Sequence, residues 1–259
     1  MPLWFTRCRI PGREITVLND KVVLISNVNH FVGDPVAAEL AAQGATVVCH
    51  DASFEDASVA ESYAAAHPDL NVTRAQRPQE IVEDVTGTQG RIDVVICNDA
   101  GAAVRAPIES AATTDLRSAL EEMVVFPFEM AGAVVPQMKE RRSGKILFVT
   151  SATPLRGLPN YSMYVTARGA TNALAVSLAQ ELGRDNIQVN AIAPNYVESP
   201  TYFPPELVSD PEALAKMTHN IPLKRMGKPE EVAALIAFYA SDQSDFITGH
   251  VMPFAGGWA

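Results

Sequence analysis

Cysteine is scarce in this chain: Cys8, Cys49 and Cys97 are the only three in 259 residues. The number is odd, the spacing is wide and no C-x-x-C pair exists, which excludes a disulfide framework and a cysteine-type zinc site. A reduced, cytoplasmic setting follows. The five histidines are scattered, with no pair at the helical spacing of metal ligands, so no metal is expected. Basic clusters are missing too, and the formal net charge is −10. Neither nucleic acid nor an anionic membrane is therefore an expected partner, and the acidity serves solubility. No apolar run is long enough to span a bilayer. Leu3-Trp4-Phe5 is too short for the apolar stretch of a signal peptide.

What is present suits one large α/β domain. Apolar residues make up 47% of the chain, enough for a sizeable core. Residues 1–20 read as an N-terminal extension, either a flexible arm or a segment that packs on the surface or on another subunit. Residues 21–259 read as one catalytic domain with no internal repeat. β-branched runs predict strands at 21–26 (KVVLIS), 45–50 (ATVVCH), 71–75, 92–97 (IDVVIC), 145–150 (KILFVT), 187–193 (IQVNAIA) and 250–254. Helical spacing predicts helices at 34–43, 54–67, 78–90, 113–142, 162–182, 204–220 and 229–241, with Pro127 and Pro136 as bend points in the fourth. Alternating strands and helices imply right-handed crossovers and a Rossmann-like, doubly wound, mostly parallel seven-stranded sheet with helices on both faces. In that fold the residues just after each strand carry the function.

The loop after the first strand is short of glycine. A loop that cradles a dinucleotide needs glycines, because its backbone must approach the pyrophosphate closely. Here it reads Ser26-Asn27-Val28-Asn29-His30-Phe31-Val32-Gly33, and only Gly33 remains. Phe31 puts an aromatic ring where a phosphate would pass. One reading is a loop that no longer binds a dinucleotide, with Phe31 walling a small pocket. The other is a divergent loop that still binds NAD(P), an option Asp51 keeps open because an acid at the end of the second strand can bind ribose hydroxyls.

Ser151 follows the fifth strand, Tyr164 lies thirteen residues later near the start of a long helix, and Arg168 is four further on. Positions i and i+4 share a helix face, so Arg168 can reach the Tyr164 ring. A cation beside a phenol favours the phenolate, which is a usable general base. Ser151 can then orient a substrate oxygen. Tyr161 does not qualify, since Val165 occupies its i+4 position.

These residues resemble the short-chain dehydrogenase/reductase superfamily over residues 21–259. The likeness includes Cys97-Asn98-Asp99-Ala100-Gly101, Ser151…Tyr164…Arg168, Val189-Asn190-Ala191-Ile192-Ala193-Pro194, Gly227-Lys228-Pro229-Glu230-Glu231 and Ile247-Thr248-Gly249. Four departures stand out: Asn27 and Phe31 for two loop glycines, Arg168 for the usual lysine, Met123 for a helix asparagine, and Asn195 after Pro194. This set is similar to the halohydrin dehalogenases, a branch that works without a nucleotide. The resemblance implies that Ser151, Tyr164 and Arg168 are catalytic and that Asp99 orients Arg168. It implies a halide site at Phe31, Pro194, Asn195, Tyr196 and Val197, and no cofactor. The implied reaction is reversible closure of a vicinal halohydrin to an epoxide, and the implied assembly is a homotetramer built through the two long helices. Residues 199–205 read as a wall or lid, with Tyr202 and Phe203 closing the substrate pocket. The competing reading is an NAD(P)-dependent short-chain oxidoreductase with an altered loop.

Overall fold

The structure, a computed structural model, describes residues 17–203 and 208–259. Most of the N-terminal extension, the end of the 199–205 segment and the first residues of the helix expected at 204–220 lie outside the described residues.

Seven strands form one sheet: β1 Val22–Ser26, β2 Thr46–His50, β3 Asn71–Thr73, β4 Val94–Cys97, β5 Gly144–Val149, β6 Ile187–Pro194 and β7 Val251–Phe254. Their order is β3-β2-β1-β4-β5-β6-β7, and every pairing is parallel. The sheet is covered on both faces, so the central strands β1 and β4 are apolar at nearly every position. Side chains alternate across the sheet. Val23 and Ile25 pack with Val36, Leu40 and Ile236 on one face, whereas Leu24 joins Ile81, Val134 and Met138 on the other. A fully buried side chain of this size stabilises the fold by about 1.5–3 kcal/mol.

The helices are α1 Gly33–Ala42, α2 Ala57–Ala66, α3 Pro78–Gln89, α4 Thr113–Leu120, α5 Phe126–Arg141, the one-turn α6 Thr153–Arg156, α7 Ser162–Leu182, α8 Pro211–Thr218 and α9 Pro229–Ala240. Three differ from the periodicity reading. The helix expected from residue 54 starts only at Ala57, because Asp56 caps it by accepting from the Ser58 N–H at 2.9 Å. The stretch expected at 204–220 is interrupted at Ser209 and Asp210, and α8 starts at Pro211, where Asp210 accepts from the Glu212 and Ala213 N–H groups.

The third is the long stretch 113–142, which is broken by a π-helical turn at Glu121–Val125. Pro127 has no N–H to give to the Met123 carbonyl four residues back, and its ring crowds that carbonyl. The helix widens by one residue, and Thr171 Oγ1 on α7 donates to the freed Met123 carbonyl at 2.5 Å. Pro136 sits inside α5 without ending it. Among the described residues, no helix is long and apolar enough to cross a membrane.

The chain leaves β1 and β4 in opposite directions, so a crevice opens between their carboxyl ends.

Candidate active site

Ser151 stands two residues beyond the end of β5. Its Oγ lies 3.0 Å from Thr153 Oγ1 and accepts from the Thr153 N–H at 3.1 Å. The turn thus orients the hydroxyl before any substrate arrives. Tyr164 is on the first turn of α7 and Arg168 one turn later, with the guanidinium carbon 5.4 Å from the Tyr164 ring centre.

Arg168 is fully buried, and its planar fork makes three contacts. Nη1 donates to the carbonyls of Asp99 at 2.8 Å and Val149 at 3.1 Å, and Nη2 donates to Tyr202 Oη at 3.3 Å. Burial works against its charge, but the Tyr164 and Tyr202 hydroxyls more than offset this and hold it above the usual arginine range. A lysine ammonium could not span those acceptors in one plane.

Asp99 touches Arg168 through its main chain. Its carboxylate turns toward the loop after β1, where Oδ1 accepts from Ser26 Oγ at 2.9 Å and Asn27 Nδ2 at 2.5 Å. Burial raises the Asp99 carboxyl to about 6, against the pull of Ser26, Asn27 and the Arg168 charge. Its neighbour Asn98 donates Nδ2 to the carbonyls of Asn27 and His30 at 3.0 and 2.8 Å. The pair at the end of β4 therefore staples the first loop into shape.

That loop keeps a glycine-like backbone without the glycines. Asn27 and Phe31 both have φ of +49°, a region that is tolerable for asparagine and strained for a bulky residue. Gly33 is retained for a steric reason: a Cβ there would lie 2.1 Å from the Val28 carbonyl oxygen. Asp51 is engaged. Oδ2 accepts from the Asn29 N–H at 3.0 Å, and Oδ1 accepts from the Ser53 N–H and hydroxyl at 2.9 and 2.6 Å. Its burial is outweighed by those bonds, which hold it below the usual carboxylate range.

Ser151, Tyr164, Phe31, the 194–197 segment, Tyr202 and Phe203 line one cavity of about 670 Å³. Arg168 and Asp99 stand behind its wall. The Phe31 and Tyr202 rings meet edge to face at 5.5 Å, and Tyr202 meets Tyr164 at 6.2 Å. Phe31 N–H donates to Thr201 Oγ1 at 2.9 Å, tying the 199–203 segment to the first loop. Tyr202 Oη also donates to the Gly101 carbonyl at 3.2 Å. Burial, with the neighbouring Tyr164, pushes the Tyr202 phenol up to about 12 despite Arg168, so it stays protonated near neutral pH.

After β6, Tyr196 takes φ of +53°. The Asn195 N–H is committed to the Phe254 carbonyl at 3.0 Å. Of the main-chain amides at 195–197, this leaves those of Tyr196 and Val197, which donate to nothing among the described residues. Sequence reasoning passed over Thr153, Glu122 and Leu158, and set Tyr161 aside as a catalytic residue; all four line the cavity. Tyr161 precedes the first turn of α7 at the carboxyl edge of the sheet, a position that signals a lining role. Arg105 is exposed and does not line this cavity.

A family described as enoyl-(acyl carrier protein) reductase matches residues 29–259. A solved structure described as a dehalogenation enzyme is 50% identical, with a TM-score of 0.91, covering 94% of this chain and 100% of its own. A halohydrin dehalogenase (HheC) bound to ethyl (2S)-oxiran-2-ylacetate is 39% identical, with a TM-score of 0.89 and coverage of 92% and 96%. The 3-oxoacyl-[acyl-carrier-protein] reductase FabG of Thermotoga maritima is 35% identical over 247 residues, which is 93% of this chain and 98% of that protein.

Proposed function

We propose, from the premise that the chain belongs to the short-chain dehydrogenase/reductase superfamily and to its halohydrin dehalogenase branch, that it closes vicinal halohydrins to epoxides with release of halide and a proton. The observation that carries this reading is the Phe31 ring in the wall of the cavity that holds Ser151 and Tyr164. A side chain in the left-handed position where a glycine would admit a phosphate leaves room for a small anion and not for a dinucleotide.

In this reaction Ser151 holds the substrate hydroxyl and Tyr164 takes its proton. The oxygen lone pair then attacks the adjacent carbon, the carbon–halogen bond breaks, and the halide leaves with the bonding pair. No hydride moves, so no nicotinamide is called for. Arg168 favours the deprotonated Tyr164 through its charge. Alignment of oxygen, carbon and halogen supplies much of the rate. The leaving halide meets the Tyr196 and Val197 amides, with Phe31 and Pro194 excluding water beside them. In reverse, a small anion such as azide, cyanide or nitrite opens an epoxide in the same pocket. The enzyme works in the cytoplasm as a homotetramer.

The second reading, an NAD(P)-dependent oxidoreductase, is favoured by the reductase relative. Chloride release from a small chlorohydrin without nucleotide separates the two. Wild-type protein is expected to release chloride and acid together, and Tyr164→Phe is expected to lower the rate by at least about 10²-fold. No release from any of several chlorohydrins, with oxidation of an alcohol when NAD(P) is added, would overturn the dehalogenase reading.

A further inference from the structure

Tyr164, Arg168 and Asn172 stand four residues apart on α7, on the side of the helix that meets the end of β5. All three are buried. The proposed chemistry uses the first two and gives Asn172 no part. Yet Asn172 Nδ2 donates to the Ser151 carbonyl at 3.3 Å. The Ala152 N–H belongs to the same peptide unit, and it donates to the Pro194 carbonyl at 3.1 Å. One peptide plane is therefore pinned at both edges. Its oxygen is held by the helix that carries Tyr164, and its N–H by the strand that leads into the 195–197 turn.

Packing does not explain an asparagine at this place. Its Oδ1 is buried with no hydrogen-bond partner. A buried polar atom left unpaired costs free energy, and an apolar group of the same shape can be neutral or stabilising in its stead. Leucine has nearly that shape. What leucine could not do is hold the Ser151 carbonyl. Thr153 fixes the Ser151 hydroxyl within its own turn, and that turn is bonded to α7 through the Asn172 amide.

We infer that Asn172 is a positioning residue: by holding the Ser151 carbonyl it sets the span between the Ser151 hydroxyl and the Tyr164 phenol. The inference rests on the proposed reaction, in which both groups meet the same substrate oxygen. Small errors in such a span are costly to rate. Without the Asn172 amide the Ser151 peptide keeps its Pro194 bond alone and can turn about it. Substrate still enters, because Asn172 does not line the cavity. The loss therefore falls on kcat and not on KM.

The test is chlorohydrin turnover without nucleotide by wild type, Asn172→Leu and Asn172→Ser, each also combined with Ser151→Ala. Asn172→Leu is expected to lower kcat about ten-fold and to keep KM within about two-fold. Its urea midpoint is expected to equal or exceed that of wild type, a split that a merely structural role would not produce. Asn172→Ser, too short to reach the carbonyl, covers the case in which leucine disturbs the packing, and is expected to show the same division between kcat and KM. Once Ser151 is alanine, either substitution is expected to change kcat by less than about two-fold, because the hydroxyl that Asn172 positions is gone. A wild-type kcat in both Asn172 variants would overturn the inference and leave the dehalogenase reading standing. So would a loss that persists in full beside Ser151→Ala. No turnover of any chlorohydrin by wild type would overturn the reading itself, and the inference with it.

Discussion

Two phenols flank the Arg168 guanidinium, and they differ in what else they touch. Tyr202 gives its proton to the Gly101 carbonyl and accepts from Arg168, so it is spoken for. Tyr164 lines the cavity together with Ser151. The Ser151 hydroxyl is held by Thr153, so Ser151→Ala is expected to lower kcat/KM for a chlorohydrin by about 10²-fold, with an unchanged circular dichroism spectrum. His50 and Asp99 set opposed dependences on pH. Burial lowers His50 from 6.5 to about 4, so as pH falls through that window the unfolded chain takes up a proton that the folded chain refuses, and stability drops. Burial raises Asp99 from 3.8 to about 6, so there the folded chain takes its proton first and stability rises as pH falls. His50→Gln keeps only the second effect. Urea unfolding from pH 6.5 to 4 is expected to show the variant gaining on wild type as pH falls, by on the order of 2–3 kcal/mol in all. The Ser–Tyr–Arg group was legible in the sequence because strand-end position and an i,i+4 step are local signals. The dealings of Asp99 with Ser26 and Asn27 were not, since they join residues more than seventy apart that meet only when β1 pairs with β4.

At the scale of elements, the central strands were readable because buried parallel strands are continuous apolar runs, as in β1 and β4. Helix starts were less so, because a capping aspartate such as Asp56 or Asp210 decides them and apolar periodicity does not register it. The π-helical turn was the least legible. Pro127 announced a bend, but whether the helix would kink, end or widen depended on Thr171, from another helix, reaching the Met123 carbonyl. Thr171→Val leaves that buried carbonyl with no donor, and Pro127 cannot supply one. The loss is expected to be about 1–3 kcal/mol in a urea titration, with little change in m-value.

For the whole molecule, the proposed tetramer makes a claim about surfaces. Phe128 on α5 is 57% exposed and Val176 on α7 is 42% exposed, large apolar groups on the two long helices assigned to subunit contact. Phe128→Asp combined with Val176→Asp is expected to shift the mass measured by light scattering from tetramer toward smaller species. An unchanged mass would place the contacts elsewhere. The positive φ at Asn27 and Phe31 has a consequence for what this loop can carry. A main chain that follows a path suited to glycine, while carrying larger side chains, can hold either kind of residue without changing its course. If the proposed dehalogenase descends from a nucleotide-binding forebear, exchanging side chains on this standing scaffold would suffice, with no intermediate that had to refold. Reconstructed forebears should therefore share this backbone whichever reaction they ran.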